Sequence, residues 1–287
     1  MLESLLNDPV MFLTLAAALL ATGAVAGLLA GLLGVGGGIV IVPALFFMFP
    51  YLGVEDSVRM YLAVGTSLAT IIPTSIMSAR AHYRHGAIDV RVLKMWGPSI
   101  CAGVAVGTLV GTSLKGEVLT VIFATIALLV AVRLTVAKAG EALPTGDTPA
   151  TEGALPSGPV RYVQALAVGF FSVVMGIGGG SFSVPILTAY KYPIRRAVGT
   201  ASAIGLIIAL PGAVLFVISG LANPDLPPGS LGYVHWLGFM LIVPATMTTA
   251  PFGARLAHSV NPGNLRRAFA VFLALTSMRM FYSVLLG

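Results

Sequence analysis

Charge is scarce in this chain. Only 9% of its 287 residues are charged and 57% are hydrophobic, against about 25% charged in an ordinary soluble domain. That balance excludes a mainly soluble protein. Cysteine is scarcer still. The single Cys101 excludes an intramolecular disulfide and a multi-cysteine metal site, and inside an apolar segment it reads as a small packing residue. The ten acids fall in predicted loops or at membrane edges, so no carboxylate within a span is placed to relay protons or hold sodium. His82, His85, His235 and His258 sit near span ends, where a solvated interfacial role is expected. No nucleophile–base pair and no metal-ligand cluster is legible, so an enzyme has no residues to stand on. The N-terminus lacks the basic flank of a cleaved signal peptide, and segment 10–33 is expected to remain in the mature chain.

What the chain has instead is apolar length. Stretches long enough to cross a hydrocarbon core of about 30 Å recur throughout. They fall at 10–33, about 60–80, 95–113, 118–137, 197–220, 233–254 and 266–286, with a shorter apolar run at 161–175. The net charge of +6 then belongs to cytoplasmic loops, because aromatics are not interleaved with the basic residues as nucleic-acid binding would need.

One phrase occurs twice. Residues 34–45 read GVGGGIVIVPAL and residues 176–187 read GIGGGSFSVPIL. Each glycine costs a helix about 1 kcal/mol, and a break inside lipid frees backbone groups that must find partners. Matching breaks in two halves point to a transporter's binding site. A dinucleotide loop is excluded by the missing strand, βαβ unit and downstream acid. The arm after the first phrase, Ile39 to Phe49, would rise only about 16 Å, half a bilayer.

The repetition continues beyond the glycines. Gly27 pairs with Gly169 and Pro43 with Pro185 at one offset, and the tetrapeptide AVGT occupies both 63–66 and 197–200. Gly107, Leu119 and Arg133 pair with Gly253, Leu265 and Arg279. Equivalent loops carry opposite charge bias. Loop 80–94 holds Arg80, Arg84, Arg91 and Lys94, while its counterpart 221–232 has no Lys or Arg. By the positive-inside rule the halves insert oppositely. With both termini outside and the linker inside, thirteen of sixteen Lys and Arg fall on the cytoplasmic side, all but Arg59, Lys115 and Arg279.

The expected fold is therefore an all-α polytopic membrane protein of two inverted-topology repeats. Each repeat is a glycine-broken helical hairpin, or a pair of short helices, followed by three transmembrane helices. The first repeat spans 1–137 and the second 161–287, joined by a Pro-, Gly- and Thr-rich cytoplasmic linker over 138–160.

Substrate-binding candidates gather at the breaks. Gly36, Gly37 and Gly38, with Gly178, Gly179 and Gly180, can turn backbone N–H groups toward an anion beside the start of a short helix. Thr66 and Ser67, with Thr200 and Ser202, lie early in the span after each arm, and Ser181 and Ser183 add hydroxyls in the second arm only. Arg279 is a charge on the outer half of the last span, where a functional role is the default expectation. For the glycines, and for Gly23, Gly27 and Gly31, the competing role is close helix packing.

The doubled G-[VI]-GGG-x(4)-P phrase, with AVGT opening the next span, resembles the sulfite exporter TauE/SafE family, across residues 15–285. The matching positions are Gly34, Gly36–Gly38, Pro43, Gly176, Gly178–Gly180 and Pro185. The resemblance implies transport of a small sulfur oxyanion or organosulfonate, such as sulfite or thiosulfate, across a bacterial-type cytoplasmic (inner) membrane. Cofactors, metals and nucleic acid are not expected. The expected partners are the substrate and the lipid bilayer, with proton coupling and a homodimer both open. The competing reading is a channel-like anion uniporter without proton coupling.

Overall fold

A computed structural model describes residues 9–33, 36–136, 158–256 and 262–285. It is almost wholly helical. The first half contains α1 (Pro9–Leu33), α2 (Gly38–Met48), a 3-10 turn (Phe49–Leu52), α3 (Asp56–Arg84), α4 (Val90–Ser113) and α5 (Gly116–Val136). The second half repeats the order with α6 (Val160–Val174), α7 (Gly180–Ala189), α8 (Ile194–Gly220), α9 (Trp236–Leu256) and α10 (Pro262–Leu285). A two-stranded ribbon, β1 (Ser230–Leu231) and β2 (Val234–His235), lies before α9. Seven helices are long and apolar enough to span a membrane: α1, α3, α4, α5, α8, α9 and α10. Most of the expected linker, residues 138–157, lies outside the described residues.

The helices pack in matched pairs. α1 lies on α9 as α6 lies on α4, and α4 touches α8 as α9 touches α3. Small residues make the close approaches. A Cβ at Gly23 would come within 2.6 Å of the Ile242 carbonyl oxygen and 2.9 Å of Ala245 Cβ, and one at Gly107 within 2.9 Å of the Phe170 carbonyl oxygen. The packing role expected of Gly23 and Gly27 is thus what α9 requires of them.

The longest described helices, α3 and α8, cross the centre together and run antiparallel. Ser78 meets Ser202, Ser75 meets the space at Gly205, Leu68 meets Gly212, and Gly65 meets Phe216. As one partner ascends the sequence the other descends. α3 is the most deeply buried of the spans, with 72% of its most apolar window inside the protein. Its core face includes Leu62, Val64, Leu68 and Ile71.

Two expectations need correction. His235 is not solvated at a span end: it is 2% exposed, and its ring lies 5.3 Å from that of Phe49. The ribbon carries it down onto α3, a tertiary placement that a local pattern does not encode. Cys101 is exposed rather than packed, on the outward surface of α4.

Candidate functional site

The two glycine phrases meet. A Cβ at Gly36 would approach Gly178 Cα to 2.9 Å, and one at Gly38 would run into the Gly176 carbonyl and Ile177. The backbones touch because no side chain stands between them. Gly36, Gly37 and Gly176 also hold φ of 79°, 75° and 62°, the left-handed region open to glycine at little cost. Gly179, by contrast, has φ of −58°. The turns are therefore similar in placement and different in detail. Each delivers the chain into a short helix, α2 or α7, whose first N–H groups have no partner within the helix.

Beside this contact lies a small cavity of about 10 Å³, lined by Ala30, Gly36, Thr74, Ser75, Ser78, Gly179, Ala201, Ser202 and Gly205. Its polar groups converge from both halves. Ser78 and Ser202 share a hydrogen bond of 3.1 Å. Thr74 donates to the Thr70 carbonyl at 2.8 Å and to the Thr246 hydroxyl at 3.0 Å. Ser75 is 3% exposed, and no hydrogen bond engages its hydroxyl among the described residues. Its oxygen would stand 2.8 Å from a Cβ at Gly205, and the Gly179 nitrogen 3.8 Å from the same point. The cavity is thus a place where one donor waits, next to backbone N–H groups at a helix start.

The candidates drawn from sequence divide around this cavity. Gly36, Gly179 and Ser202 line it. Gly37, Gly38, Gly178 and Gly180 build the turns alongside. Ser67 instead donates 2.7 Å to the Gly176 carbonyl and ties the second turn to α3. Ser183 back-bonds to the Gly179 carbonyl at 2.6 Å. Ser181 places a buried hydroxyl oxygen without a hydrogen bond in the first turn of α7, outside the cavity lining.

Thr66 and Thr200 have another task. Thr66 accepts the backbone N–H of His235 at 2.8 Å, and Thr200 accepts that of Asp89 at 3.0 Å. In each case this is the residue immediately before a helix of the opposite half, α9 for Thr66 and α4 for Thr200. The adjoining glycines complete the device, since a Cβ at Gly65 would strike the Tyr233 carbonyl and one at Gly199 the Ala87 carbonyl. AVGT thus reads as a clamp, with glycine admitting the incoming backbone and threonine holding it. Asp89 strengthens its clamp by capping α4 through Arg91 N–H at 2.8 Å and accepting from the Tyr192 hydroxyl. Burial pushes that carboxyl up, but the Tyr192 and backbone hydrogen bonds outweigh it and leave Asp89 below its ordinary value.

Arg279 lies away from the cavity. It is exposed, with its guanidinium 5.1 Å above the Phe47 ring. Ala30, Thr74, Ser75, Ser78, Ala201 and Gly205 are the lining residues that sequence reasoning missed. For Thr74 and Ser78 the signal was present as hydroxyls at 67, 70, 74 and 78, spaced three or four apart along one face of an apolar helix.

Paired glycine breaks in two halves are found at transporter binding sites, and comparison with known proteins points to the same class. The family model for the sulfite exporter TauE/SafE matches residues 19–280. The chain belongs to this family. It is 34% identical over 262 residues to a probable membrane transporter protein of Haemophilus influenzae, covering 91% of this chain and 96% of that one. A probable membrane transporter of Methanocaldococcus jannaschii is 28% identical over 94% of this chain and 96% of its own length. The corresponding values for YunE of Bacillus subtilis are 27%, 92% and 96%. No solved structure matches. The TauE/SafE chain described here is therefore a multi-pass membrane transporter and not an enzyme.

Proposed function

We propose that this protein is a secondary transporter that carries a small sulfur-containing oxyanion or organosulfonate across the cytoplasmic membrane. The substrate is held between the two glycine turns. The observation that carries the reading is the cavity itself, where Ser75, Ser78, Ser202 and the Gly179 backbone converge beside the starts of α2 and α7. Helix starts and hydroxyls attract anions and can replace part of a hydration shell. The antiparallel register of α3 and α8, and the pairing of equivalent contacts, support inverted repeats around this point.

A cavity of about 10 Å³ has room for about one water, and a three-oxygen anion needs more. Entry thus requires the turns to part, which favours alternating access over the channel-like uniporter. Purified protein in liposomes should take up sulfite or an alkanesulfonate. Transport of a cation with no uptake of any sulfur anion would sink the proposal. Flux that follows voltage alone, without saturation, would favour the uniporter.

A further inference from the structure

We infer a second binding site, at the basic end of the seam between α4 and α6, for the headgroup of an anionic phospholipid. It is separate from the cavity between the glycine turns and independent of which anion is carried.

The two helices run parallel. A Cβ at Gly103 would strike the Leu166 carbonyl, one at Gly107 the Phe170 carbonyl, and one at Gly111 would meet Val174 at 3.8 Å. Both chains therefore ascend together and their starts lie side by side. The positive-inside rule gives this end to the cytoplasmic leaflet. Three cations gather there. Arg161 is the second residue of α6, while Arg91 and Lys94 lie in the first two turns of α4, both exposed. Spaced three apart, Arg91 and Lys94 share a face of that helix.

Arg161 is positioned but poorly satisfied. Its guanidinium lies 4.6 Å over the Tyr162 ring and donates to the Tyr162 hydroxyl at 2.7 Å. Its Nη1 reaches only the Met95 sulfur, at 3.5 Å, and a thioether is a weak acceptor. Its Nε is buried with no hydrogen bond. Met95 directly follows Lys94, so the two cations meet at one level of the seam. Among the described residues no carboxylate forms an ion pair with either. Asp89, the acid at this end, is taken by the Tyr192 hydroxyl and the Arg91 backbone N–H. A planar guanidinium fork beside a lysine matches the oxygens of a phosphodiester.

The surroundings select a lipid as the bearer of that phosphate. Tyr162 is exposed next to Arg161, where an amphipathic ring suits the headgroup level. Farther along the same pair, Val163, Leu166, Val106 and Leu109 are exposed. Cations at the end and apolar surface beyond follow the order of headgroup and acyl chain. Helix pairing alone does not call for these cations. α1 and α9 pack as the matched pair, yet α1 has no basic residue and α9 has none before Arg255, in its last turn.

The test uses the full chain, purified in neutral detergent, stripped of lipid and titrated with phosphatidylglycerol or phosphatidylcholine. Bound lipid is counted by native mass spectrometry. Each cation near an anionic headgroup contributes about fivefold in affinity, so the parent should bind its first phosphatidylglycerol about tenfold or more tighter than phosphatidylcholine. Lys94→Gln, at an exposed side chain, should lower that preference about fivefold. Arg161→Gln combined with Lys94→Gln should abolish it. Arg133→Gln with Arg255→Gln removes the same charge from two other helix ends and should leave the preference intact. Equal affinity for the two lipids in the parent would overturn the site. So would equal loss of preference in both double variants, which would leave net charge alone as the cause. Complete displacement of phosphatidylglycerol by millimolar inorganic phosphate would assign the cations to a soluble anion and overturn it as well.

Discussion

Ser78 of α3 and Ser202 of α8 join their hydroxyls at 3.1 Å, one helical turn from the unpartnered hydroxyl of Ser75. The contact links equivalent crossing helices of the two halves, on the border of the cavity between the glycine turns. Any motion that separates α3 from α8 on this side breaks it. Replacing both serines by alanine removes the link without burying a new unpaired group. We expect the double variant to fold and to exchange more readily between closed and open forms. Accessibility of a cysteine introduced at Ala201 to a small thiol reagent should rise severalfold over the same probe in the parent, once Cys101 is replaced by Ser. Unchanged labelling would show that the pair does not restrain opening.

The AVGT clamps predict a pair of stability losses. Thr66→Val and Thr200→Val keep the shape but strip the acceptor from the backbone N–H of His235 or Asp89. Each should cost about 1–3 kcal/mol, measured by thermal or denaturant unfolding in detergent, and Thr→Ser should restore most of it. Equal stability of Val and Ser variants would remove the clamp from the account.

Glycines should separate into two groups. Gly65→Ala and Gly199→Ala press a methyl into the backbone of Tyr233 and Ala87 and should yield little folded protein. Gly97→Ala and Gly111→Ala meet nothing closer than 3.9 and 3.8 Å. These should be tolerated or stabilising by up to about 1 kcal/mol, as helix propensity dictates. The yield and unfolding midpoint of the four variants decide the matter.

Acid should weaken the protein through His235. Burial pushes its imidazole from 6.5 down to about 4, so between those values the unfolded chain binds a proton that the folded chain refuses. The contribution is complete above about pH 6.5 and is lost as pH falls toward 4. It amounts to on the order of 3 kcal/mol. The unfolding midpoint should drop across that window, and His235→Gln should flatten the drop. An equally steep drop in the variant would assign the acid sensitivity elsewhere.

Much of this architecture is written in local pattern. Apolar runs gave the spans within a few residues, and the glycine phrases marked where α1 and α6 end. What pattern could not convey is which distant backbone a hydroxyl serves. Thr66 finds His235, and Ser67 finds Gly176, each more than a hundred residues away. Both therefore look like site residues until the fold is seen. Ser75 shows the reverse: in sequence it is one more small residue in an apolar helix, and only its place on the cavity wall reveals it. Arg279 stood out as a charge in a span, yet a stacking contact with Phe47 at the protein's surface accommodates it.

The most direct measurement is the concentration dependence of sulfite uptake by Ser75→Ala in liposomes, with its unfolding midpoint recorded alongside. No internal hydrogen bond is lost on removing this hydroxyl, so the midpoint should stay within a degree or two of the parent. A hydrogen bond to a charged group is worth about 1.5–3 kcal/mol, so KM for sulfite should rise by about tenfold or more. Unchanged KM and maximal rate in a folded variant would contradict an anion held between the two glycine turns.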